Sequence, residues 1–160
     1  MKFAAAALFA VACAAVLAAP AQDDVKVPDH QFIAVDDIKW GEAPPSLPPG
    51  AKAAILEGNP AKPGPITLRL KFPANYKIMP HYHPAIEHVT VLSGSLRLGT
   101  GETFDEAKTT ALGPGGFSIL QTGVKHYVVC KEETVVQAHA IGPWGITYVN
   151  PSDDPRNTSK

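Results

Sequence analysis

Apolar and polar side chains alternate in a series of short stretches that begins at residue 66. In the sequence ITLRLKF, residues 66–72, every second side chain is apolar, which is typical of a β-strand with one buried face. Comparable stretches follow, most of them separated by glycine: EHVTVLSG, SLRLG, TTALG, GFSIL, HYVVC, TVVQAHAIG and GITYV. Many short strands joined by glycine turns indicate a sandwich or a barrel. The pattern therefore predicts one all-β domain.

The segment before this series, residues 22–64, is rich in proline and is predicted to be mostly loop, because proline restricts the backbone to turns and strand edges. It contains two candidates for extended structure, QFIAV at 31–35 and AAILEG at 53–58. We expect its proline-rich part either to wrap over the barrel or to supply a strand to a partner. Further on, residues 102–108 could form a helical turn, and residues 151–160 read as a polar C-terminal tail.

The first 21 residues have the layout of a secretory signal peptide. Lys2 precedes an apolar run over residues 3–19, and an Ala-Pro-Ala tripeptide that ends at Ala21 stands before the first acidic side chains. Small residues in this arrangement mark a cleavage site, so we expect cleavage after Ala21 and a periplasmic or secreted mature protein. The sequence leaves two alternatives open. One is an uncleaved membrane anchor, for which the run is somewhat shorter than the usual ~20 residues, and the other is a lipoprotein modified at Cys13.

The charge pattern argues against nucleic acid and membrane partners, and the cysteine content excludes an internal disulfide in the mature chain. The chain has 14 basic and 15 acidic side chains and a formal net charge of −1. It has no basic stripe for phosphate contacts, so nucleic acid is not expected as a partner. It has no basic amphipathic helix, so no stable membrane association is expected after cleavage. Cys130 would be the single cysteine of the mature chain, which therefore cannot form an internal disulfide and must rely on its core.

The strongest chemical signal is the sequence HYHPAIEH, residues 81–88. His81 and His83 are two residues apart and point to the same face of a strand, and Glu87 shares its parity with the apolar side of the next strand. Two imidazoles and a carboxylate would therefore converge inside the barrel, where a carboxylate is costly to bury unless a cation neutralises it. Such a donor set suits a first-row divalent metal. His126, at the start of another predicted strand, offers a fourth ligand.

At these residues the chain resembles the cupin family, whose members are small jelly-roll barrels with two histidine motifs. The first motif, G-x5-H-x-H-x3-E-x6-G, is matched apart from its leading glycine, and the second, G-x5-P-x-G-x2-H-x3-N, is matched apart from its proline and its asparagine. The matching positions are His81, His83, Glu87 and Gly94 in the first motif and Gly115, Gly123 and His126 in the second, while Asn75, Gln121 and Cys130 stand at the positions that depart. The resemblance covers residues 66–141.

The resemblance implies a single-domain cupin jelly roll, a double-stranded β-helix, over residues 65–150. The family's metal ligands correspond here to His81, His83, Glu87 and His126. They would hold one divalent metal ion (iron, manganese, zinc, nickel or copper), and the resemblance further implies a small-molecule ligand or substrate and a homodimer. The leading hypothesis is an oxidoreductase of the dioxygenase type. Since a fold does not decide function, a non-catalytic small-ligand-binding or sensing module, a metal-storage protein and a polar pocket without metal remain alternatives.

Three other side chains carry weaker signals. His139 would project into the barrel as a candidate catalytic base or substrate contact, or else be a hydrogen-bonded core histidine. His88 has the parity opposite to Glu87 and is expected to face solvent or the outer sheet, and it would be a substitute ligand if Glu87 rotated away. Cys130 shares the parity of His126, so it either lines the pocket as a soft ligand or acts as a small buried side chain.

Overall fold

A computed structural model describes residues 29–158 of the chain. The predicted signal peptide, residues 1–21, lies outside the described residues. The chain divides into two compact units, Met1–Phe32 and Ile33–Lys160. In the described part of the first unit, the rings of His30 and Phe32 lie 5.4 Å apart between centroids. Within residues 29–158, no helix has the length and apolar character needed to cross a membrane.

The second unit consists of two antiparallel β-sheets. Its strands are β1 (Gly41–Glu42), β2 (Lys52–Glu57), β3 (Gly64–Phe72), β4 (Tyr76–Tyr82), β5 (Glu87–Ser93), β6 (Leu96–Thr100), β7 (Thr110–Leu112), β8 (Phe117–Leu120), β9 (His126–Cys130), β10 (Thr134–Gly142) and β11 (Thr147–Tyr148). The first sheet has the order β1-β2-β3-β10-β5-β8 and the second β11-β4-β9-β6-β7. Three 3₁₀ turns, Val35–Asp37, Glu106–Lys108 and Pro151–Asp153, and one short helix, α1 (Pro155–Thr158), complete the described elements.

The alternating pattern predicted most of these strands, and the two packed antiparallel sheets confirm the predicted all-β fold. The stretch ITLRLKF lies in β3, which pairs along its whole length with β10, from Thr134 opposite Phe72 to Gly142 opposite Gly64. The prediction for QFIAV was wrong, because residues 33–34 are not in a strand and Val35 begins a 3₁₀ turn. Val35 is also strongly exposed, so no sheet face supports an extended conformation there.

The core lies between the inner faces of the two sheets. In strand β3, buried and half-buried side chains alternate along most of the length, so one face of the strand packs in the core. Its inward side chains Ile66, Leu68, Leu70 and Phe72 are all buried, and each such burial contributes about 1.5–3 kcal/mol to folding. Strand β9 is buried at all five positions. It lies between β4 and β6 in the second sheet, and on its outer face the ring of Tyr127 packs against the ring of Phe104, with 5.2 Å between centroids.

The proline-rich segment covers the barrel of its own chain. Strands β1 and β2 extend the first sheet next to β3. The loop between them is fixed by two tyrosines of the second sheet. Tyr148 donates its hydroxyl proton to the carbonyl oxygen of Ser46 at 2.8 Å, and Tyr76 donates to the carbonyl oxygen of Pro48. Of the two expectations for this segment, the structure therefore agrees with the wrapping one.

Two local irregularities in and beside β4 determine where its histidines point. Asn75 precedes the strand with a φ of +62°, in the left-handed region that asparagine tolerates better than other non-glycine residues. It can therefore replace the leading glycine of the first motif. The pairing of β4 with β9 shifts register between Ile78 and His81, which marks a β-bulge. Because of the bulge, Ile78 and His81 both line the interior although their parities differ.

Candidate metal centre

Three histidines converge at one end of the barrel interior. His81 lies on β4, His83 directly follows that strand, and His126 is the first residue of β9. Their relative exposures are only 3%, 6% and 1%. One ring nitrogen of each lies within 4.8 Å of the corresponding nitrogens of the other two. Three buried imidazoles this close together could hold one metal ion.

The backbone fixes which nitrogen of each ring faces the centre. The Nδ1 atoms of His81, His83 and His126 lie 2.7, 2.7 and 3.0 Å from the carbonyl oxygens of Met79, Gly145 and Val124. A carbonyl oxygen only accepts, so each Nδ1 carries the proton and donates. The lone pair is then on Nε2 in all three rings. This is the arrangement that orients metal-binding histidines in proteins.

Glu87 brings a carboxylate to the same place from the other sheet. It is the first residue of β5, and its Oε2 lies 3.6 Å from Nε2 of both His83 and His126. Burial raises the pKa of this carboxyl group, and His126 and His88 oppose the rise only in part. Among the described residues, no lysine or arginine lies within 4 Å of this carboxylate. A bound cation would supply the missing neutralisation.

Electrostatics keeps the three imidazoles neutral. Burial lowers the pKa of His81 well below its usual value of 6.5, and the nearby His126 and His83 lower it further. Burial also lowers the pKa of His83 and of His126, although Glu87 opposes the change at His126. Since only the neutral ring offers a lone pair, these shifts favour metal binding over protonation.

A cavity of about 560 Å³ connects the histidines with the barrel mouth. Apolar side chains from both sheets form most of its wall, among them Leu68, Leu70, Phe72, Ile78, Val128 and Val136. Its rim includes Lys39 and Glu42, which are exposed. The space is large enough for a small organic molecule beside the histidines.

Sequence reasoning missed Trp144 and Gly145, which complete the site from the segment between β10 and β11. The indole ring of Trp144 stacks on the His83 ring, with 4.7 Å between centroids and 24° between planes. Gly145 supplies the carbonyl oxygen that orients His83. A Gly-Pro-Trp-Gly sequence signals a turn, but nothing in it indicates a contact with a residue about 60 positions earlier.

The structure places the other candidates outside the metal centre. His139 was expected as a candidate base inside the barrel, and this is corrected. It lies on the outer face of β10, where its Nδ1 is 3.0 Å from Thr67 Oγ1. Its partner on the adjacent strand β5 is His88. The strand buries the alternate positions, from Thr134 to Gly142, and this leaves His139 on the opposite face.

His88 and Cys130 follow the structural interpretations given from the sequence. His88 lies on the outer face and stacks on Phe117, with 6.0 Å between ring centroids. Cys130 is fully buried in the hydrophobic core, and it is not among the residues that line the cavity. Burial raises the pKa of its thiol to about 11. It is therefore a neutral core side chain rather than a soft ligand.

Comparison with known proteins places the chain in a family. Residues 19–142 match the model of a family described as a domain of unknown function, DUF4437. The chain belongs to this cupin-like family. No curated protein matches the sequence.

Solved structures show that the fold is that of the cupins. The polyketide cyclase RemF from Streptomyces resistomycificus is similar over 79% of this chain and 89% of its own, with a TM-score of 0.62 and 20% identity. An RmlC-like cupin from Shewanella frigidimarina is similar over 71% and 91%, with a TM-score of 0.54 and 13% identity. A salicylate 1,2-dioxygenase from Pseudaminobacter salicylatoxidans is similar over 65% and 32%, with a TM-score of 0.53 and 13% identity. At these identities the likeness shows a shared fold, and the fold hosts several different chemistries.

Proposed function

We propose that the chain is an exported cupin that binds one divalent metal ion through His81, His83, Glu87 and His126 and acts as a small-molecule oxidoreductase of the dioxygenase type. The observation that carries the proposal is the convergence of three Nε2 lone pairs and one buried carboxylate at the base of an apolar cavity. The donor set of three imidazoles and a carboxylate suits first-row transition metals.

Each part of the site has a task in this proposal. Iron or manganese would supply activation of dioxygen, and zinc, nickel or copper would supply Lewis-acid polarisation. The carbonyl oxygens of Met79, Gly145 and Val124 hold the three rings in the orientation that binding needs. The apolar wall excludes water from the reacting molecule and strengthens the electrostatic interactions around it.

Metal analysis of the mature protein tests the proposal. Protein purified after export should contain iron, manganese or another divalent metal at about one ion per chain, and the His83→Ala variant should lose it. His88→Ala is the matched control, since His88 lies five residues further along on the outer face of the sheet. A wild-type protein that holds no metal and takes none up on titration, or a His88→Ala variant that loses metal as His83→Ala does, contradicts the proposal.

A non-catalytic binding or sensing module is the second candidate, and one observation favours it. Apart from the four proposed ligands, the ionisable side chains that line the cavity are Lys39 and Glu42 at its rim. His139, the expected base, faces the other way. Oxygen-consumption screens of the metal-loaded protein with aromatic, thiol and dicarbonyl compounds separate the two candidates. Turnover supports the enzyme, whereas saturable binding without oxygen consumption supports the module.

Export and dimerisation are part of the same proposal. The signal-like layout of residues 1–21 supports export with cleavage after Ala21, which N-terminal sequencing of protein from the periplasm or medium tests. The resemblance to cupins supports a homodimer, which size-exclusion chromatography with light scattering tests. A mature protein that begins before residue 22 would contradict cleavage after Ala21. A strictly monomeric protein would contradict the homodimer.

A further inference from the structure

The cavity has one polar end and a long apolar part. The three histidines and Glu87 form the polar end. Every other cavity-lining residue of strands β3 to β10 is apolar. The charged and hydroxyl side chains on the remaining wall, Lys39, Glu42 and Ser46, all belong to the proline-rich segment. The sheets therefore offer a bound molecule polar contacts at the histidines and hydrocarbon contacts everywhere else.

The inward side chains of this wall face open space. Leu68, Leu70 and Val128 point into the barrel and line the cavity, and their relative exposures are 6%, 9% and 6%. Val91 is also buried in the barrel but does not line the cavity, and its relative exposure is 1%. The surface that remains open on the wall side chains therefore belongs to the cavity, and a molecule bound there would cover it.

The strand register gives the length of the apolar part. Glu87 of β5 is level with Ile66 of β3, through the strand β10 that pairs with both. Beyond that level, β3 presents Leu68, Leu70 and Phe72 in succession to the cavity. A strand advances about 3.3 Å per residue, so Leu70 lies about 13 Å along the barrel from the level of Glu87, roughly the length of a ten-carbon chain.

We propose that the cavity binds an aliphatic molecule of about ten carbons, with its polar head group at the histidines and its hydrocarbon tail along β3 and β9. This rests on the proposed use of the cavity as the ligand site of the metal centre. The wall beside the tail has no donor, acceptor or charge that could replace the hydration of a second polar group. The site therefore selects molecules that are polar at one end only.

A series of 1-alkanols from butanol to dodecanol tests the proposal, because its members differ only in the length of the tail. Their dissociation constants are measured by calorimetry with metal-free wild-type protein, Val89→Phe and Thr90→Phe. Val89 lines the cavity two residues beyond Glu87 on β5, so a phenylalanine there would shorten the apolar part. Thr90 is the next residue on the same strand and does not line the cavity, so Thr90→Phe is the matched control.

We expect wild-type protein and Thr90→Phe to bind each longer alkanol about 3- to 4-fold more tightly per methylene, up to about ten carbons. For Val89→Phe the affinity should stop rising at about five carbons. A wild-type protein whose affinity is independent of chain length overturns the proposal. So does a Val89→Phe variant with the length dependence of wild type, and so does a Thr90→Phe variant that is shortened as Val89→Phe is.

A measurement on the unmodified chain tests the orientation of the molecule without any variant. Bound Mn²⁺ broadens the NMR signals of nearby protons far more than those of distant ones. In the manganese-loaded protein, the CH₂OH protons of 1-decanol should therefore broaden more strongly than its terminal methyl protons. Equal broadening, or stronger broadening of the methyl signal, overturns the proposal.

Manganese uptake is measured on the same samples and separates this proposal from the metal centre. If the protein binds manganese but its alkanol affinities do not depend on chain length, the tail proposal fails and the metal centre stands. If it binds no manganese, the position of the head group is read from nuclear Overhauser contacts between the CH₂OH protons and the ring of His81. Such contacts, together with the expected length dependence, support the tail proposal although the metal is lost, and their absence overturns it.

Discussion

At the scale of single residues, the orientation of the three histidine rings depends on hydrogen bonds that do not involve the proposed ligand atoms. The three Nδ1–H groups donate to backbone carbonyl oxygens, so no side-chain substitution can remove the acceptors. Two of these acceptors belong to residues two positions before the histidine, Met79 for His81 and Val124 for His126. The third, Gly145, is distant in sequence. Local backbone conformation therefore orients two rings, and tertiary structure orients His83.

Glu87→Gln tests the buried carboxylate. Burial raises the pKa of Glu87, so the folded metal-free protein binds this proton more tightly than the unfolded chain does, and ionisation destabilises the fold as the pH rises above the usual value of 4.5. A neutral glutamine of the same shape avoids this effect. We expect metal-free Glu87→Gln to be at least as stable as metal-free wild type at neutral pH, with an advantage that grows from acid to neutral pH. Its gain in the free energy of unfolding on metal addition should be smaller than that of wild type.

Urea denaturation with and without a chelator measures both effects. The difference between the metal-free midpoints of wild type and Glu87→Gln gives the effect of the buried carboxylate on the free energy of unfolding. The difference between their shifts on addition of Mn²⁺ gives the contribution of Glu87 to metal binding. A metal-free variant that is less stable than wild type at neutral pH, together with an unchanged response to Mn²⁺, would show that Glu87 is a structural residue and not a ligand.

The acid sensitivity of the metal-free protein tests the neutral state of His81. Its pKa is lowered well below 6.5 by burial and by His126 and His83, so the unfolded chain binds a proton at this residue at a higher pH than the folded protein does. The free energy of unfolding should therefore fall as the pH decreases through about 6.5 and below. His81→Gln removes this contribution and should lose less stability over the same interval. Equal pH slopes for the two metal-free proteins would contradict the prediction.

At the scale of elements, neighbouring strands place the ligands, and β6 supports the ligand strand β9. Gly99 of β6 lies opposite Tyr127 of β9, directly next to His126 in sequence. A Cβ atom at Gly99 would overlap the ring of Tyr127, which is almost fully buried and donates its hydroxyl proton to the carbonyl oxygen of Asp105 at 3.0 Å. The glycine is needed because this ring occupies the space of a side chain.

Gly99→Ala should therefore disturb both the fold and the site. Overpacking a buried position costs about 1–3 kcal/mol of unfolding free energy, and a displaced Tyr127 would move His126 and weaken metal binding. Gly113→Ala is the matched control, because an added Cβ at Gly113 meets nothing within 4 Å and should change stability by less than about 0.5 kcal/mol. Chemical denaturation and Mn²⁺ titration of the two variants check this. Equal stability of the two variants would contradict the packing argument.

The elements also show what the sequence could predict and what it could not. Strand β3 could be predicted because one of its faces is apolar and the other polar, so the period of two is unambiguous. His139 was assigned to the wrong face because β10 carries apolar side chains on both faces: Val135 and Ile141 lie on the outer one, Val136 and Ala138 on the inner one. Parity alone then does not say which side is buried.

The same distinction applies to the candidate site. The histidines of the motif and Glu87 could be predicted as a converging group because their spacing on two strands and the family resemblance agreed. The bulge between Ile78 and His81 could not be predicted, since a register shift depends on the partner strand β9. Trp144 could not be predicted for the same reason. Its contact with His83 follows from the tertiary position of the segment after β10, for which a single sequence carries no local signal.

At the scale of the whole molecule, the proposed ligands come from both sheets. His81 and His126 belong to β4 and β9 of the second sheet, and Glu87 belongs to β5 of the first. An ion bound by all of them would connect the two layers across the cavity, where apolar packing is interrupted by a space of about 560 Å³. Metal binding should therefore stabilise the whole barrel and not only the loop around His83.

Removal of the metal is the measurement that tests this connection. A ligand at 100 times its dissociation constant stabilises a protein by about 2.7 kcal/mol, and each kcal/mol shifts the melting temperature of a domain of this size by about 2–4 °C. We therefore expect a chelator to lower the single melting transition of the mature wild-type protein by about 5–10 °C and added Mn²⁺ to restore it.

His83→Ala should melt at the same temperature with and without chelator. His139→Ala, which changes a histidine on the outer face of β10, should respond as wild type does. If the chelator leaves the main transition unchanged and shifts only a minor local one, the metal does not connect the sheets, and the apolar core alone holds the two layers together.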